Sequence, residues 1–224
     1  MPVQIYANLV SQPCRALLWA LKVKDADYEL VQTDFGSELI KSDEFKAMNP
    51  NGFVPVLKDD DFALFEGNAI LVYVAEKFQW TDLYPTDPAT RAKINEFLHW
   101  HHTNTRLFTL KIIRPTIGKK LGAPLSPEDL ANVEKTEETI TKVSELLEKF
   151  LVKDFIARTD APTIADYAAY CEYDQLEMMG HDFSKFPKLN AWLARMKELP
   201  FHEEVHAPLA GFLKAVGLDG AVKP

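Results

Sequence analysis

The sequence has 224 residues, of which 47% are hydrophobic and 26% charged, a composition that excludes a disordered chain. This length suits one large domain or two modest domains. The formal net charge of −8 disfavours nucleic acid or an anionic membrane as a partner, because either would need a basic surface on the protein.

Strand-like and helix-like segments alternate along the first 79 residues. Residues 3–8 show the period-two alternation of a strand, and residues 28–33 are a second strand-like run. Residues 54–57 and 62–65 flank a turn at 58–61 and predict a hairpin. Residues 12–24 carry apolar side chains at helical spacing, and we also expect helices over 42–48 and 67–78. The order βαβαββα predicts an α/β thioredoxin-like domain with a mixed four-stranded sheet over residues 1–79.

Residues 80–88 contain two prolines and several turn formers, so we expect a linker there. Later segments have helical periodicity without convincing strands, and residues 128–150 predict one long amphipathic helix. Helix starts are marked by capping residues followed by proline or an acidic residue, at Asp87, Ser126 and Thr163. These features predict an all-α helical bundle domain over residues 89–224.

Ser11 lies between the first predicted strand and the first predicted helix, in the segment S-Q-P-C-R. Free backbone N–H groups and the positive end of the helix dipole favour a bound thiolate over a neutral thiol at this place. A hydroxyl here would donate a hydrogen bond to the anion and would not itself be the nucleophile. The alternative is that Ser11 is only a helix N-cap. We expect Cys14 to be a core residue.

Pro55 follows Val54 within a strand-like segment. Because proline cannot donate to a central ladder, it predicts an edge strand, a bulge or a cis bond that turns the Val54 backbone outward. An extended peptide could then pair with the free N–H and C=O groups of Val54. The alternative is an edge strand blunted by proline.

Glu66, Gly67 and Asn68 open the next predicted helix. The N–H groups of this helix start suit a carboxylate, and Glu66 could accept a hydrogen bond from an ammonium group. This combination is typical of a site that binds both ends of an amino acid. The alternative is an acidic first turn stabilised by the helix dipole.

These motifs resemble, in sequence and order, those of cytosolic glutathione transferases. They are S-Q-P-C-R at 11–15, N-P-N-G-x-V-P-V-L at 49–57, E-G-N-A-I at 66–70 and P-T-I-A-D-Y at 162–167. The chain is most similar to the serine-dependent classes, theta above all, through the first motif and W-H-H-T-N-T-R at 100–106. The resemblance covers essentially the full length.

The resemblance implies that glutathione binds the first domain, with its thiol near Ser11 and its glycine carboxylate near Lys41. The glutathione-binding residues that it implies are Gln12, Lys41, Phe53, Val54, Pro55, Glu66, Gly67 and Asn68. A hydrophobic electrophile would bind against the helical domain, at Asn8, Val10, His102, Arg106 and Ile112. The resemblance also implies a homodimer, with glutathione as the co-substrate and no metal.

Two positions depart from the family pattern. Gly67 stands where the family usually has Ser or Thr, and losing that hydroxyl removes a hydrogen bond of roughly 1.5 to 3 kcal/mol. Ile40 stands where theta and plant-type relatives often have His. Both departures favour a non-catalytic binding or interaction module with weak glutathione affinity, similar to the one attached to translation elongation factors. Ser11 and Glu66 favour the enzyme.

The segment H-E-E-V-H at residues 202–206 matches a zinc-binding pattern and leaves a zinc hydrolase as a third hypothesis. Pro200 and Pro208 confine the segment to about two turns, and no third ligand is evident downstream. We therefore expect no metal here.

The chain begins without a basic segment or an apolar signal core, and its two cysteines lie far apart, which is typical of a reducing compartment. We expect a cytoplasmic enzyme that conjugates the glutathione thiolate to hydrophobic electrophiles in detoxification.

Overall fold

The structure is a computed structural model that describes residues 2–220. Its first part contains a four-stranded mixed sheet with the strand order β2-β1-β3-β4. The strands are Val3–Ala7 (β1), Tyr28–Gln32 (β2), Val56–Asp59 (β3) and Phe62–Phe65 (β4). β1 runs parallel to β2 and antiparallel to β3, and β3 runs antiparallel to β4. The predicted mixed four-stranded sheet is therefore confirmed.

Four helices accompany the sheet. They are Gln12–Val23 (α1), Glu38–Lys41 (α2), Asp43–Met48 (α3) and Gly67–Lys77 (α4). The short helix predicted over 42–48 is confirmed as α3, and Ser42 is its N-cap: the Ser42 hydroxyl accepts from the Phe45 N–H at 3.1 Å. Helix α2, which lies before it, was not predicted. Helix α1 is almost wholly buried, with Trp19 at its centre.

Of the three alternatives predicted at Pro55, the edge strand is ruled out, because β3 is an interior strand paired on both sides. β3 begins at Val56, one residue after the proline, so its ladder does not need the N–H that Pro55 lacks. The Val54–Pro55 peptide bond is cis, which was one of the three predicted alternatives.

The second part is helical, and residues 80–220 contain no strand. Its helices are Pro88–His101 (α5), Arg114–Lys120 (α6), Pro127–Glu134 (α7), Thr136–Phe150 (α8), Ile164–Met178 (α9), Pro187–Lys197 (α10) and His202–Ala215 (α11), with a π-helix at Phe108–Ile113. Helices α5, α7 and α9 begin directly after Asp87, Ser126 and Thr163, as the capping signals predict. The end of the predicted domain, residues 221–224, lies outside the described residues.

The single long helix predicted over 128–150 is wrong, since α7 ends at Glu134 and α8 begins at Thr136. The Thr136 hydroxyl donates to the Val133 carbonyl at 2.8 Å, a side-chain bond that competes with the helical ladder. Leu130, which a single amphipathic helix over 128–150 would place on its apolar side, is 47% exposed.

Helix α1 of the first part packs against α9 of the second. Trp19 lies edge-on against Tyr167 and Tyr170, with ring centroids 4.8 and 5.4 Å apart. Within residues 2–220, every helix is too short or too polar to cross a membrane.

Candidate active site

Ser11 occupies the N-cap position of α1, with extended backbone angles, and its side chain is partly exposed. Its N–H donates to the Asn8 carbonyl at 2.9 Å, and its own carbonyl accepts from the Arg15 N–H at 3.0 Å. The hydroxyl makes no capping hydrogen bond to the helix. The alternative in which Ser11 serves only as a side-chain cap of α1 therefore does not describe its hydroxyl in this structure.

Cys14 lies one turn further along α1 and is fully buried. Burial raises the pKa of its thiol to about 11, although the neighbouring Ser11 hydroxyl acts in the opposite direction. A thiol that stays neutral inside the core is not a nucleophile at neutral pH, because the thiolate is the reactive form. Cys14 is a core residue, as predicted.

The Arg15 side chain fixes the backbone of the segment just before Ser11. The guanidinium is fully buried and donates to the carbonyls of Leu9 and Val10 at 3.3 and 2.9 Å. Its other terminal nitrogen donates to the Cys171 carbonyl at 3.0 Å and to Asp174 Oδ1 at 3.1 Å, both on α9. The sequence reasoning gave Arg15 no role, although a charged residue on the apolar side of α1 was a visible signal.

A cavity of about 110 Å³ opens beside the start of α1. Its lining residues are Gln12, Pro13, Asn49, Asn51, Phe53, Val54, Pro55, Glu66, Gly67, Asn68, His101, His102 and Arg106. The structure thus brings together, in one cavity, every residue of the expected glutathione set except Lys41. Ser11 adjoins Gln12 but lies outside the lining.

Val54, in the loop before β3, lines this cavity. The Asn49 side chain shapes the loop, because its amide donates to the Phe53 carbonyl at 2.8 Å and its oxygen accepts from the Asn51 N–H at 3.0 Å. Across residues 2–220 the N–H and C=O groups of Val54 make no hydrogen bond. They are free to pair with an extended ligand.

Glu66 precedes α4 with backbone angles φ 73° and ψ 109°, a conformation that L residues rarely adopt. Asn68 donates to the Leu98 carbonyl at 3.0 Å and so ties the first turn of α4 to α5. A Cβ atom on Gly67 would lie 2.7 Å from Pro13 Cβ. Glycine at 67 therefore permits the starts of α1 and α4 to approach each other.

The remaining predicted residues lie outside the cavity lining. Lys41 is exposed and pairs with Glu38 at 2.8 Å. Asn8 donates to Asp34 at 3.1 Å and accepts from the Val10 N–H at 3.0 Å, so its side chain stabilises the loop. Ile112, in the π-helix, is 1% exposed. Of the expected electrophile residues, His102 and Arg106 line the cavity.

Arg106 connects the two parts of the molecule at this cavity. Its Nη1 donates to Gln12 Oε1 on α1 and lies 3.3 Å from Glu172 Oε1 on α9. His101, beside it, is almost fully buried, and burial lowers its pKa to about 3, with Arg106 adding to the shift. Because His101 is neutral, the positive charge in this part of the cavity wall comes from Arg106. The sequence reasoning missed Glu172.

The H-E-E-V-H segment forms the first turns of α11, away from this cavity. His202 Nε2 lies 2.6 Å from the Tyr170 hydroxyl, and His206 Nδ1 lies 2.7 Å from the His202 carbonyl oxygen. The two imidazoles stack with centroids 4.5 Å apart and pack against Trp19. Within the described part of the chain, no group of three or more His, Cys, Asp or Glu side chains could hold a metal.

A wider depression of about 730 Å³ lies at the start of α11. Its lining residues are Lys197, Leu199, Phe201, His202, Glu203, Glu204 and Ala207. It contains neither a hydroxyl at a helix start nor free strand-like backbone. The smaller cavity beside α1 therefore has the better chemistry for a thiol peptide, despite its volume.

Comparison with known proteins identifies the family to which the chain is similar. The family model for the N-terminal domain of glutathione S-transferase matches residues 1–76, and the model for the C-terminal domain matches residues 107–200. Glutathione S-transferase T1 of Arabidopsis thaliana is 33% identical across the whole of this chain and 97% of its own length. Human glutathione S-transferase theta-1 is 36% identical across 88% of this chain and 83% of its own length.

Solved structures of the same kind superpose closely. Human glutathione transferase theta-2, in complex with glutathione and an unknown ligand, has a TM-score of 0.83 at 30% identity, covering 96% of this chain and 90% of that one. The apo form of human glutathione S-transferase T1-1 has a TM-score of 0.82 at 31% identity, covering 98% of this chain and 93% of that one.

Proposed function

The chain belongs to the glutathione S-transferase family, and we propose that it conjugates the glutathione thiolate to hydrophobic electrophiles, with Ser11 stabilising the thiolate. The role of Ser11 rests on one observation: its hydroxyl lies at the start of α1 and makes no capping hydrogen bond to the helix. Glutathione is the co-substrate, and its sulfur attacks the electrophilic carbon.

The magnitudes support this role for Ser11. A free thiol has a pKa of about 8.5, so a shift of roughly two units, or about 3 kcal/mol, makes it mostly ionised at pH 7. A hydrogen bond from the hydroxyl to an anion contributes roughly 1.5 to 3 kcal/mol, and the end of a helix contributes about 1 to 2. Together these two contributions are sufficient.

The cavity supports a position for the tripeptide. Its cysteinyl backbone pairs with the free N–H and C=O groups of Val54, flanked by Phe53 and Pro55. Its γ-glutamyl end lies at Glu66, whose side chain accepts hydrogen bonds from the ammonium group of glutathione. The γ-glutamyl carboxylate of glutathione accepts from the backbone N–H groups of Gly67 and Asn68. Gln12 borders the sulfur. Lys41 binds the glycine carboxylate, and for this its ammonium group must break its ion pair with Glu38.

The electrophile lies between the α/β domain of residues 1–79 and the helical domain of residues 89–224, joined by residues 80–88. His102 and Arg106 bound this place in the cavity wall. Asn8, Val10 and Ile112 complete the pocket in this proposal. The enzyme works in the cytoplasm as a homodimer, by analogy with its family, and takes part in detoxification.

A non-catalytic module is the alternative, and the comparisons do not favour it. The relatives that match nearly the whole chain are themselves named glutathione S-transferases.

Replacement of Ser11 by Ala tests the proposal. We expect the pKa of the bound glutathione thiol, followed by thiolate absorbance, to rise and kcat/KM to fall roughly tenfold to a hundredfold, because one hydrogen bond to the anion is lost. The substrates are a chloronitrobenzene, a benzyl halide and an epoxide, and calorimetry measures glutathione binding.

Ser37→Ala is the matched control, because Ser37 is also an N-cap, at α2, whose side chain makes no capping bond. It should leave the thiol pKa and the rate unchanged. Absence of glutathione binding and of turnover in the native protein would reject the enzyme. An unchanged thiol pKa in Ser11→Ala would reject the role of Ser11 alone.

A further inference from the structure

Glu172 is a buried carboxylate that faces the cavity wall from behind. It lies on α9 and is 0% exposed. Its Oε2 accepts from the Thr109 hydroxyl at 2.6 Å and from Gln175 Nε2 at 2.8 Å. Its Oε1 faces Arg106 Nη1 at 3.3 Å, and His101 Nε2 lies 3.8 Å away. A carboxylate is retained in such a place only when these partners compensate for the lost water.

Arg106 is the one lysine or arginine among the residues that line the cavity within the described chain. Its side chain is 25% exposed, so the guanidinium reaches the cavity while its inner edge meets Glu172. The same Nη1 contacts Gln12, the residue next to Ser11. The guanidinium therefore lies between a fixed carboxylate on α9 and the start of α1.

The backbone around Arg106 serves the same arrangement. Thr109 lies in the π-helix of residues 108–113, three positions after Arg106. π-helical turns are rare and frequently occur at functional sites. Here the turn carries the hydroxyl that donates to Glu172, while the Gln175 amide bridges Thr109 and Glu172 at 2.7 and 2.8 Å. The carboxylate is thus fixed on one oxygen and leaves the other for Arg106.

We propose that Glu172 is a positioning residue for the transferase reaction, which holds the Arg106 guanidinium beside the start of α1 so that it stabilises negative charge developing on the electrophile. This inference rests on the proposed function. In a substitution, the electron pair of the glutathione sulfur forms the new C–S bond. The bond from carbon to the leaving group breaks, and the leaving group departs with that electron pair as an anion.

The placement of a fixed cation at that point lowers the barrier, since preorganised charge acts where charge develops in the transition state. A flexible arginine would lose part of this effect, because it would have to be ordered during the reaction. The carboxylate also neutralises the charge of the buried side of the pair. Arg106 can therefore remain partly buried in the cavity wall before the electrophile binds.

Glu172→Gln is the first test, because it removes the charge and keeps the shape. We expect kcat with a chloronitrobenzene to fall roughly tenfold, while calorimetry shows glutathione binding within about twofold of the native protein. The control is Glu177→Gln on the same helix, whose carboxylate pairs with Lys197. The control should keep the native kcat. Equal kcat in Glu172→Gln and Glu177→Gln would overturn the inference.

Chemical rescue gives a second measurement that a merely structural role would not produce. Arg106→Ala should regain activity when guanidinium is added at non-denaturing concentration, because Glu172 recruits the free cation. Arg106→Ala combined with Glu172→Gln should not be rescued, and it should be no slower than Arg106→Ala alone. Equal rescue in both backgrounds would overturn the inference.

The measurements separate the two proposals. Native protein without turnover or glutathione binding would reject the proposed function. Native turnover with unaffected Glu172→Gln would reject only the positioning role. If Glu172→Gln proves too unstable to assay, the rescue of Arg106→Ala by guanidinium is measured at several pH values. The rescue should disappear as Glu172 becomes protonated, because guanidinium binds only the ionised carboxylate, and rescue that does not change with pH would overturn the inference.

Discussion

Gly67 shows how one residue sets the shape of the cavity beside α1. The family usually has a hydroxyl residue at this position, so its absence predicts a lost hydrogen bond to the γ-glutamyl carboxylate. The structure adds a steric reason for glycine. A Cβ atom would meet Pro13 Cβ at 2.7 Å and Pro55 Cγ at 3.7 Å. Pro13 belongs to the first turn of α1, so its ring cannot move aside without moving that helix.

We predict that Gly67→Ser does not restore strong glutathione binding. The free energy of unfolding should fall by about 1 to 3 kcal/mol, because the added Cβ overpacks the contact between α1 and α4. Urea denaturation and calorimetry measure the two quantities. Gly211→Ser in α11 is the control, since a Cβ there meets nothing within 4 Å. Tighter binding by Gly67→Ser at unchanged stability would contradict this prediction.

The residues that the sequence predicted for the site are those whose chemistry is local. Ser11, Val54 and Glu66 each lie at a junction between a strand and a helix or beside a proline, and such junctions are visible in the chain order. Arg15 and Glu172 were missed because their charged partners, Asp174 and Arg106, lie more than 60 residues away in sequence. Buried charges acquire a meaning only once the tertiary contacts are known.

The start of α9 is the most heavily hydrogen-bonded helix start of the second domain. Asp166 is fully buried, and its Oδ2 accepts from the N–H and the hydroxyl of Thr163 at 2.8 and 2.9 Å. Its Oδ1 accepts from the Ile156 N–H at 3.0 Å and from Trp192 Nε1 at 2.9 Å. One carboxylate therefore joins the start of α9, the preceding loop and α10.

We predict that Asp166→Ala lowers the free energy of unfolding by roughly 3 to 5 kcal/mol, because it leaves several buried donors without an acceptor. Asp129→Ala removes the corresponding residue of the exposed capping box at α7, where Asp129 accepts from Ser126 at 2.7 Å. That change should cost about 1 kcal/mol or less. Urea unfolding compares them, and equal losses would contradict the prediction.

The elements themselves were predictable where a cap or a period gave a clear boundary. Helices α5, α7 and α9 begin where Asp87, Ser126 and Thr163 indicate. The break between α7 and α8 was not predicted, because the apolar period continues through it while the Thr136 hydroxyl interrupts the ladder. Side-chain competition of this kind leaves no trace in the hydrophobic pattern.

At the scale of the whole molecule, the interface between α1 and α9 couples the site to the helical domain. Arg15 and Asp174 form a buried ion pair at 3.1 Å, with side chains 0% and 2% exposed. His206 Nε2 lies 3.3 Å from the other Asp174 oxygen. Because Arg15 also holds the Leu9 and Val10 carbonyls, loss of the pair would release the loop that carries Ser11.

We predict that Asp174→Ala lowers the free energy of unfolding by roughly 3 to 5 kcal/mol, since it leaves the Arg15 charge buried without its partner. Asp160→Ala should cost far less, because the Lys153–Asp160 pair is largely exposed.

Replacing both partners, as in Arg15→Met with Asp174→Leu, should recover much of that stability, because no unpaired charge remains in the interior. Catalysis should not recover in this double variant, since methionine cannot donate to the Leu9 and Val10 carbonyls and Ser11 loses its fixed position. Urea unfolding followed by tryptophan fluorescence and circular dichroism measures stability, and the conjugation assay measures activity. Recovery of both stability and activity would show that packing between α1 and α9, and not the guanidinium of Arg15, holds Ser11 in place.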